Sequence, residues 1–497
     1  MRKRASGILM HISSLPGSYG IGDFGKEAYN FVDFLVKAKQ SYWQILPLGI
    51  TGYGDSPYSS FSAFAGNPYF IDLDELIDNG FISKEKVMNT DLGQNSNDID
   101  YGKLYEYKME LLREAYINSK PYLKGELDKF YNEQEKWLRD FALFMTIKES
   151  FDSVSWLDWP KEYKYYNSDI VKRFELENKE RMFFWVFTQY YFTKQWKKLK
   201  LYANRNGIKI IGDLPIYVAA DSVDAWSNPS AFNLDKNLYP ITIAGCPPDG
   251  FTETGQLWGN PIYNWNYLES TEYRWWIERI RYSFKLFDTL RIDHFRGFDA
   301  YWEVKYGDKT AQNGRWIKGP GIKLFNRIKE ELGDLDIIAE DLGYPTKSLE
   351  LFLKEVGFPN MKVLEFAFDT DGNNCYLPHN YGKNCVVYIG THDNHPAMSW
   401  LKNAPKHECE YAVKYLRLNE EEGFHWGFIK GAWSSTAYLA IAQMQDFLGT
   451  GEETRMNEPS TLGKNWRWRV SKVDLTDELA EKIAGITITY GRQAIGL

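Results

Sequence analysis

The chain has 497 residues and a formal net charge of −8, with 44% hydrophobic and 25% charged residues. This composition is typical of a globular protein with a large buried core, arranged either as about three domains or as one α/β barrel. The acidic charge argues against nucleic acid and anionic membranes as partners, since neither attracts a negative surface. No apolar stretch approaches the ~18 residues that a membrane-spanning helix needs.

Cysteine usage and the N-terminal residues predict a cytoplasmic protein. The cysteines are scattered and include no Cys-x-x-Cys pair, which argues against a disulfide framework and against a zinc site. They are Cys246, Cys375, Cys385 and Cys409. The first residues are basic, but the apolar run after them is too short for a signal peptide and has no cleavage site.

Eight short apolar runs that end in polar residues, Gly or Pro predict eight buried parallel strands. They cover residues 7–12, 42–47, 208–215, 287–293, 336–340, 362–368, 385–392 and 438–446. Helical patterns at 22–39, 320–332 and 347–356 lie between several of them. This alternation predicts an α/β fold, a single (β/α)8 TIM barrel over residues 1–497, with its active site at the C-terminal ends of the strands.

Two connections are far longer than the usual loop of such a barrel. The first contains charged amphipathic segments at 103–118, 123–140 and 181–205, and predicts a mainly helical insertion over approximately residues 53–205 at the C-terminal rim. The second, approximately residues 216–285, is rich in Trp, Pro and Gly and predicts an ordered loop region over the site. Its stretch 245–265 is interpreted either as a lid or as an ordinary loop that closes the barrel.

Three acidic residues lie at the ends of predicted strands: Asp293 on the fourth, Glu340 on the fifth and Asp393 on the seventh. Cleavage of a glycosidic bond by a retaining mechanism needs two carboxyl groups, one nucleophilic and one protonated. A third carboxylate can stabilise the positive charge of the transition state. A single acid at a strand end more often caps a helix or pairs with a base, so the prediction depends on the three together.

Neighbouring residues strengthen the interpretation of these acids. Arg291 lies two residues before Asp293, so alternation along a strand points both side chains to the same face, and we expect the cation to keep Asp293 ionised. His392 precedes Asp393 and offers a hydrogen-bond donor for sugar hydroxyls. His294 faces away on a regular strand unless the strand ends before it, which leaves a simple packing role open.

The segments around these acids resemble the four signature regions of the α-amylase clan. They are GDLP (212–215), LRIDH (290–294), AEDLG (339–343) and GTHDN (390–394). Within that clan the chain is similar to the amylomaltases, the bacterial 4-α-glucanotransferases or disproportionating enzymes. The motifs that match are HISSLPG (11–17), DSPY (55–58), PPDGFTETGQLWGNP (247–261), RIDHFRG (291–297), RMNEP (455–459) and NWRWR (465–469).

The resemblance implies a role for each matching position. Asp293 would be the nucleophile, Glu340 the general acid and base, and Asp393 the transition-state stabiliser. The positions that line the sugar subsite at the scissile bond would be Asp213, Arg291, His294 and His392. Those associated with glucan and acceptor binding would be Tyr58, Glu253 and Trp258.

The implied activity is retaining transfer of α-1,4-glucan segments from a maltooligosaccharide or starch donor to the 4-hydroxyl of an acceptor glucan or glucose, through a covalent glycosyl-Asp293 intermediate. The only expected partners are these glucans, with the chain a monomer or a weak homo-oligomer. An α-amylase-like hydrolase using the same acids stays the main alternative, and a catalytically silent glucan-binding protein the second.

Neither a cofactor nor a metal is expected. The segment DTDGN at 369–373 resembles the start of a calcium loop, but no glutamate closes it at the twelfth position, so a turn is the better interpretation. One departure from the family concerns the residues after Asn394, where the family often has Asp-Thr and this chain has His395 and Pro396. Pro396 constrains the loop after Asp393, so this departure concerns loop geometry or acceptor preference rather than the three acids.

Overall fold

A closed barrel of eight parallel strands forms the centre of the described chain, which in this computed structural model comprises residues 2–52, 54–93, 97–248 and 252–493. The described strands are β1 (Ala5–Leu9), β2 (Tyr42–Gln44), β3 (Lys209–Pro215), β4 (Thr242–Cys246), β5 (Gln256–Pro261), β6 (Thr289–Asp293), β7 (Ala300–Lys305), β8 (Arg315–Lys318), β9 (Ile337–Ala339), β10 (Asn360–Val363), β11 (Cys385–Tyr388) and β12 (Leu439–Gln443). Around the barrel the order is β1-β12-β11-β10-β9-β6-β3-β2. Each predicted strand overlaps one of these, so the (β/α)8 prediction is confirmed.

The register of the strands places the predicted catalytic positions at one end of the barrel. On β6, Arg291 pairs with Asp213 of β3, and Ile292 pairs with Ala339 of β9. Glu340 therefore follows its strand at the same level as Asp293. Both faces of these strands are covered, which is why their sequences are continuous apolar runs rather than an alternation of apolar and polar residues.

Helices surround the barrel and fill the long connections. The described α-helices are Lys26–Lys37, Leu73–Asp78, Lys84–Asn89, Tyr101–Lys103, Met109–Ser150, Lys161–Lys164, Asp169–Glu177, Lys179–Arg205, Val223–Ser227, Trp265–Ser270, Arg274–Leu286, Ile322–Leu332, Lys347–Val356, Ala397–Asn403, Lys406–Leu416, Phe424–Ser434, Met444–Leu448 and Asp477–Thr489. The helix Lys347–Val356 shows why such elements are predictable: Thr346 caps its first turn, and Gly357 ends it with φ 72°. No helix in the described ranges is long and apolar enough to cross a membrane.

The connection between β2 and β3 is largely helical. One helix, Met109–Ser150, replaces the two that the sequence predicts at 103–118 and 123–140, and it packs against Lys179–Arg205. Pro121 lies inside it. A proline in a helix costs about 3 kcal/mol, but this helix buries apolar side chains on both sides of Pro121, and that burial offsets the loss.

A second sheet of four antiparallel strands, in the order β5-β4-β7-β8, lies outside the barrel in the described chain. The sequence pattern did not predict it. The second long connection, interpreted as loops, supplies β4 and β5, while β7 and β8 follow the barrel strand β6. All four strands are short, β4 and β5 contain Gly or Pro, and β4 pairs with β7 on the far side of β6 in sequence, so they carry no clear alternation.

Candidate active site

The ends of β6 and β9 hold Asp293 and Glu340 close together. β6 ends at Asp293, and His294 adopts a left-handed conformation with φ 50°, which turns the chain sharply. Because of this turn, the backbone N–H of His294 donates to Oε2 of Glu340 at 2.6 Å. The N–H of Leu342 donates to Oε1 at 2.7 Å. Two backbone donors thus orient the Glu340 carboxyl beside the end of the strand that carries Asp293.

Arg291 links Asp293 to the neighbouring strand. Its Nη1 contacts both carboxylate oxygens of Asp213 at 2.7 Å and Oδ1 of Asp293 at 3.1 Å. The hydroxyl of Tyr58 donates to Oδ2 of Asp213 at 2.8 Å. The Asp213 side chain is 0% exposed and that of Asp293 28% exposed. Asp213 is therefore a buried anchor for Arg291 and Tyr58, whereas Asp293 is open to the cleft.

Burial governs the protonation of the two central carboxyls. Desolvation raises the pKa of Asp293 well above its ordinary value, and Arg291 opposes this shift. Burial also raises the pKa of Glu340, against the opposing effects of Arg291 and of the N–H donors of Leu342 and His294. As expected, the positive charge of Arg291 acts to lower the pKa of Asp293. Arg291 also pairs with Asp213, so its charge is shared between the two carboxylates. The charge of Glu340 also contributes to the rise in the pKa of Asp293, so the protonation of one carboxyl affects the other.

Asp393 is held from a different part of the chain. Its Oδ2 lies 3.3 Å from Nε2 of His392, and its Oδ1 accepts a 2.6 Å hydrogen bond from the side-chain amide of Asn457. The guanidinium of Arg455 donates to the Asp393 carbonyl at 3.1 Å. These contacts leave Asp393 partly exposed at the barrel mouth while its loop is fixed on both sides.

An aromatic wall lies beside these acids. The rings of Tyr58 and His392 are stacked, with centroids 5.1 Å apart and planes at 14°. Trp466 packs against both, at 5.8 Å from Tyr58 and 5.9 Å from His392. Burial lowers the pKa of His392, which keeps the imidazole neutral at neutral pH. A neutral ring can both donate to and accept from sugar hydroxyls.

The second sheet brings Trp258 to His294. Trp258 lies on β5, and its ring meets His294 edge-on at 4.7 Å. Burial lowers the pKa of His294 to about 3, and its Nε2 is buried with no hydrogen-bond partner among the described residues. His294 is thus packed, as the alternative interpretation held, but it retains a buried ring nitrogen without a hydrogen-bond partner among the described residues.

The remaining predicted lid residues are only partly placed. Glu253 is exposed, and its carbonyl accepts from the side chain of Gln312 at 3.1 Å. The structure therefore gives Glu253 no direct contact with the three acids among the hydrogen bonds of the described residues. Residues 249–251 of the predicted lid lie outside the described residues.

Comparison with known proteins decides the family. A family model described as 4-alpha-glucanotransferase matches residues 10–476. The chain belongs to the 4-alpha-glucanotransferase family. The 4-alpha-glucanotransferase of Clostridium butyricum is 56% identical over 97% of this chain and 100% of its own length, and that of Streptococcus pneumoniae is 48% identical over 99% and 98%. The solved amylomaltase from Streptococcus agalactiae, in complex with acarbose, is 46% identical, with a TM-score of 0.97 over 99% of this chain and 100% of that one.

Membership in the 4-alpha-glucanotransferase family confirms the resemblance and the enzyme class predicted from the sequence. As a member, the chain is a 4-alpha-glucanotransferase, an enzyme class that acts on α-1,4-glucans. This chain and the solved amylomaltase have the same fold over nearly their full lengths.

Two residues beside the transferase site were missed as site residues by reasoning from sequence. Arg455 and Asn457 belong to the motif RMNEP, and the family resemblance implies no role for either residue. Their contacts with Asp393 bridge 62 and 64 residues of sequence. The signal that could have found them was an Arg and an Asn in an otherwise unassigned motif shortly after the last barrel strand.

The segment that resembles a calcium loop forms a turn. Asp371 accepts the backbone N–H of Asn373 at 3.0 Å, and Asp369 accepts from the side chain of Asn374 at 2.7 Å. Within the described residues, no group of three or more His, Cys, Asp and Glu side chains is arranged to hold a metal ion.

Proposed function

We propose that this enzyme transfers α-1,4-glucan segments by a retaining, two-step reaction in which Asp293 is the nucleophile, Glu340 the general acid and base, and Asp393 the transition-state stabiliser. The observation that carries the proposal is the hydrogen bond from the N–H of His294, the residue after Asp293, to the Glu340 carboxyl. It orients the Glu340 carboxyl beside the end of the neighbouring strand, which carries Asp293. A retaining mechanism needs two carboxyls about 5–5.5 Å apart, and we propose that separation for this pair.

In the first step, a carboxylate oxygen of Asp293 attacks the anomeric carbon of the donor sugar at the scissile bond. The bond from this carbon to the 4-oxygen of the leaving glucan breaks as Glu340 donates its proton to that oxygen. The products are a glycosyl ester on Asp293 and a shortened glucan with a free 4-hydroxyl. A raised pKa suits Glu340 to this step, because the carboxyl must still carry its proton near neutral pH.

In the second step, the ionised Glu340 takes the proton from the 4-hydroxyl of the acceptor glucan. The acceptor oxygen attacks the anomeric carbon, the ester bond breaks, and Asp293 regains its negative charge. Each inversion at this carbon reverses the other, so the α configuration is retained. Asp393, held by Asn457 and His392, supports the positive charge that develops on the sugar ring in both steps.

We further propose that the side chains around the acids bind the glucan. Tyr58 and His392 present a stacked flat surface with polar edges, which suits a sugar ring with apolar faces and hydroxyl edges. Asp213 and Arg291 line the same subsite and hold Tyr58 and Asp293 in place. His294 contributes to the sugar subsite at the scissile bond, while Trp258 and Glu253 take part in glucan and acceptor binding.

Transfer prevails over hydrolysis when an acceptor is bound firmly and water is excluded from the glycosyl ester. The contact of Trp258 with His294 brings the second sheet directly over the end of β6, where the ester would form. This position supports a role for the sheet and its lid in excluding water.

The test is an analysis of products from maltotriose. We expect glucose together with oligosaccharides longer than maltotriose, with the total number of reducing ends almost constant. If reducing ends increased in step with the loss of maltotriose, the proposed transfer would be wrong. The variant Asp293→Ala serves as the control, since it should abolish both transfer and any residual hydrolysis.

We propose a cytoplasmic location and a monomer or weak homo-oligomer. Cys375, Cys385 and Cys409 are thiols rather than disulfides, which fits a reducing compartment. The three acids and the groups that orient them all come from one chain, so catalysis needs no second copy. Light scattering during size-exclusion chromatography measures the assembly, and a stable tetramer or larger ring would contradict the proposal.

A further inference from the structure

Two exposed aromatic side chains lie near the catalytic strand ends without a role in the reaction described above. Trp316 is on β8, at the outer edge of the second sheet, and is 40% exposed. Tyr344 follows Glu340 by four residues and is 45% exposed. An open aromatic ring beside an active site offers a flat surface on which a ligand ring can stack.

A buried arginine connects the two aromatic residues to the nucleophile. Arg296, three residues after Asp293, is 3% exposed, and its guanidinium lies over the Trp316 ring at 4.3 Å from the centroid. Its Nη1 donates to the carbonyl of Tyr344 at 2.5 Å, and its Nε has no hydrogen-bond partner among the described residues. One face of Trp316 is therefore covered and fixed in position, which leaves the rest of the ring for contact from outside.

The same two residues are joined to the lid. The hydroxyl of Tyr344 donates to the carbonyl of Pro248 at 2.8 Å. Trp316 pairs in register with Trp302, and their rings lie 5.4 Å apart. Close to this pair, the N–H of Ala311 donates to the carbonyl of Thr254 at 2.9 Å. Trp316 and Tyr344 therefore extend the surface of the site outward from the side that carries the lid.

The chemistry of the ring favours a sugar as the ligand. Arg296 is buried beneath Trp316, and Arg315 on β8 forms an ion pair with Glu303 at 2.7 Å. Lys318, further along β8, is exposed and adds a positive charge. The choice of a sugar therefore rests on the aromatic plane of Trp316, which suits the apolar face of a sugar ring.

We propose that Trp316 and Tyr344 form an outer glucan site, where glucose units of a long α-1,4-glucan bind beyond the sugars at the scissile bond. The proposal rests on the glucan transfer proposed above and extends it to chain-length preference. Its occupant is the distal part of the enzyme's own substrate, because the two residues are continuous with the lid. Since Arg296 and Trp302 hold Trp316 in place, binding requires little further ordering of this side chain.

The test compares Trp316→Ala and Trp316→Phe with the wild-type enzyme, using amylose and maltotriose as separate substrates. Stacking on one aromatic ring contributes roughly 1 kcal/mol, which corresponds to about fivefold. We therefore expect Trp316→Ala to raise the ratio of the KM for amylose to the KM for maltotriose about fivefold, with kcat for amylose changed little. Trp316→Phe should restore most of the ratio. Tyr122→Ala is the matched control: this tyrosine is 76% exposed, but it lies in the helical connection, and its removal should leave both KM values unchanged.

Two outcomes would overturn the outer glucan site. An equal loss of kcat on amylose and maltotriose would mean that Trp316 acts only by covering Arg296. An unchanged KM ratio would mean that the open ring binds no glucan. If instead the wild-type enzyme hydrolysed both substrates without transfer, the proposed function would fail, while the KM ratio would still report on the outer site.

Discussion

The side-chain amide of Asn457 donates a 2.6 Å hydrogen bond to Oδ1 of Asp393, the proposed transition-state stabiliser. The backbone N–H of Asn457 also donates to the carbonyl of His392 at 3.1 Å. One residue from the chain after β12 thus holds both the side chain and the backbone at the end of the seventh barrel strand. A carboxylate that supports a developing charge must be placed accurately, and Asn457 provides that placement.

Replacing Asn457 should impair the chemical step. A hydrogen bond to a charged group contributes about 1.5–3 kcal/mol, so we expect Asn457→Ala to lower kcat with maltotriose roughly 10- to 100-fold. Asn457→Asp should be at least as severe, because it sets a second negative charge against Asp393. Steady-state kinetics measure the effect, and an unchanged melting temperature confirms an intact fold. Activity of Asn457→Asp above half the wild-type value would contradict this role.

His395, one of the two residues that depart from the family pattern, helps to hold the loop that carries Asp393. Its Nδ1 lies 2.6 Å from Oε2 of Glu452, and Oε1 of Glu452 accepts from Arg455 at 3.2 Å. Arg455 in turn donates to the carbonyl of Asp393. Nη1 of Arg455 also lies 3.4 Å from each ring nitrogen of His395. His395 therefore reaches Asp393 through Arg455, both directly and by way of Glu452.

Loss of this chain of contacts should have a smaller effect than loss of Asn457. We expect His395→Ala and Glu452→Gln each to lower kcat about three- to tenfold, since each removes an indirect support worth about 1 kcal/mol. Kinetics with glucose, maltose and maltotriose as acceptors would show whether the change also alters acceptor preference. If both variants matched the wild type with every acceptor, His395 would have no role in placing Asp393.

The raised pKa of Glu340 predicts the alkaline limit of activity. Glu340 must be protonated in the first step, so activity is lost as pH rises through its pKa. Because burial raises that pKa, the limit should lie above the ordinary range of a glutamate carboxyl. Measurement of kcat/KM against pH tests this, and an alkaline limit at or below the ordinary glutamate pKa would disagree with it.

Glu340→Gln separates proton donation from the rest of the reaction. We expect a loss of about 10²–10⁴-fold with maltotriose and a much smaller loss in the first, fluoride-releasing step with an α-maltosyl fluoride donor, because fluoride leaves without a proton. The second step should stay slow with both donors, since it needs Glu340 as the base. The alkaline limb of the first step should also disappear with the fluoride donor. Equal losses of the first step with both donors would indicate that Glu340 has a structural role instead.

A buried arginine at the opposite end of the barrel should contribute to the stability of the fold without affecting catalysis. Arg492 is fully buried and donates to the carbonyls of Trp433, Ala5 and Ser435 at 2.7, 2.9 and 3.1 Å. Arg4 also donates to the carbonyls of Trp433 and Ser435, but Arg492→Met would remove every hydrogen bond of the buried guanidinium. We therefore expect the free energy of unfolding to fall by about 3 kcal/mol. Arg173→Met, at a side chain that is 67% exposed, is the control and should change it by less than about 0.5 kcal/mol. Denaturant unfolding measures both, and similar values for the two variants would refute the role of Arg492.

Much of the fold was determined by local sequence. Eight apolar runs predicted the eight barrel strands, because a strand covered on both faces needs a continuous apolar sequence. Thr346 and Gly357 marked the helix Lys347–Val356 by capping chemistry that depends on adjacent residues alone. The acids at strand ends could be predicted for the same reason, since a barrel places all these ends together whatever the detailed packing.

Only the tertiary structure decided how those acids are held. The left-handed turn at His294 that brings its N–H to Glu340, and the contact of Asn457 with Asp393, join segments whose relative placement no periodic pattern records. The second sheet was hidden likewise, because β4 and β7 pair across the barrel strand β6 that lies between them in sequence. Sequence patterns report what neighbouring residues prefer, whereas these hydrogen bonds depend on distant segments meeting after the barrel has closed.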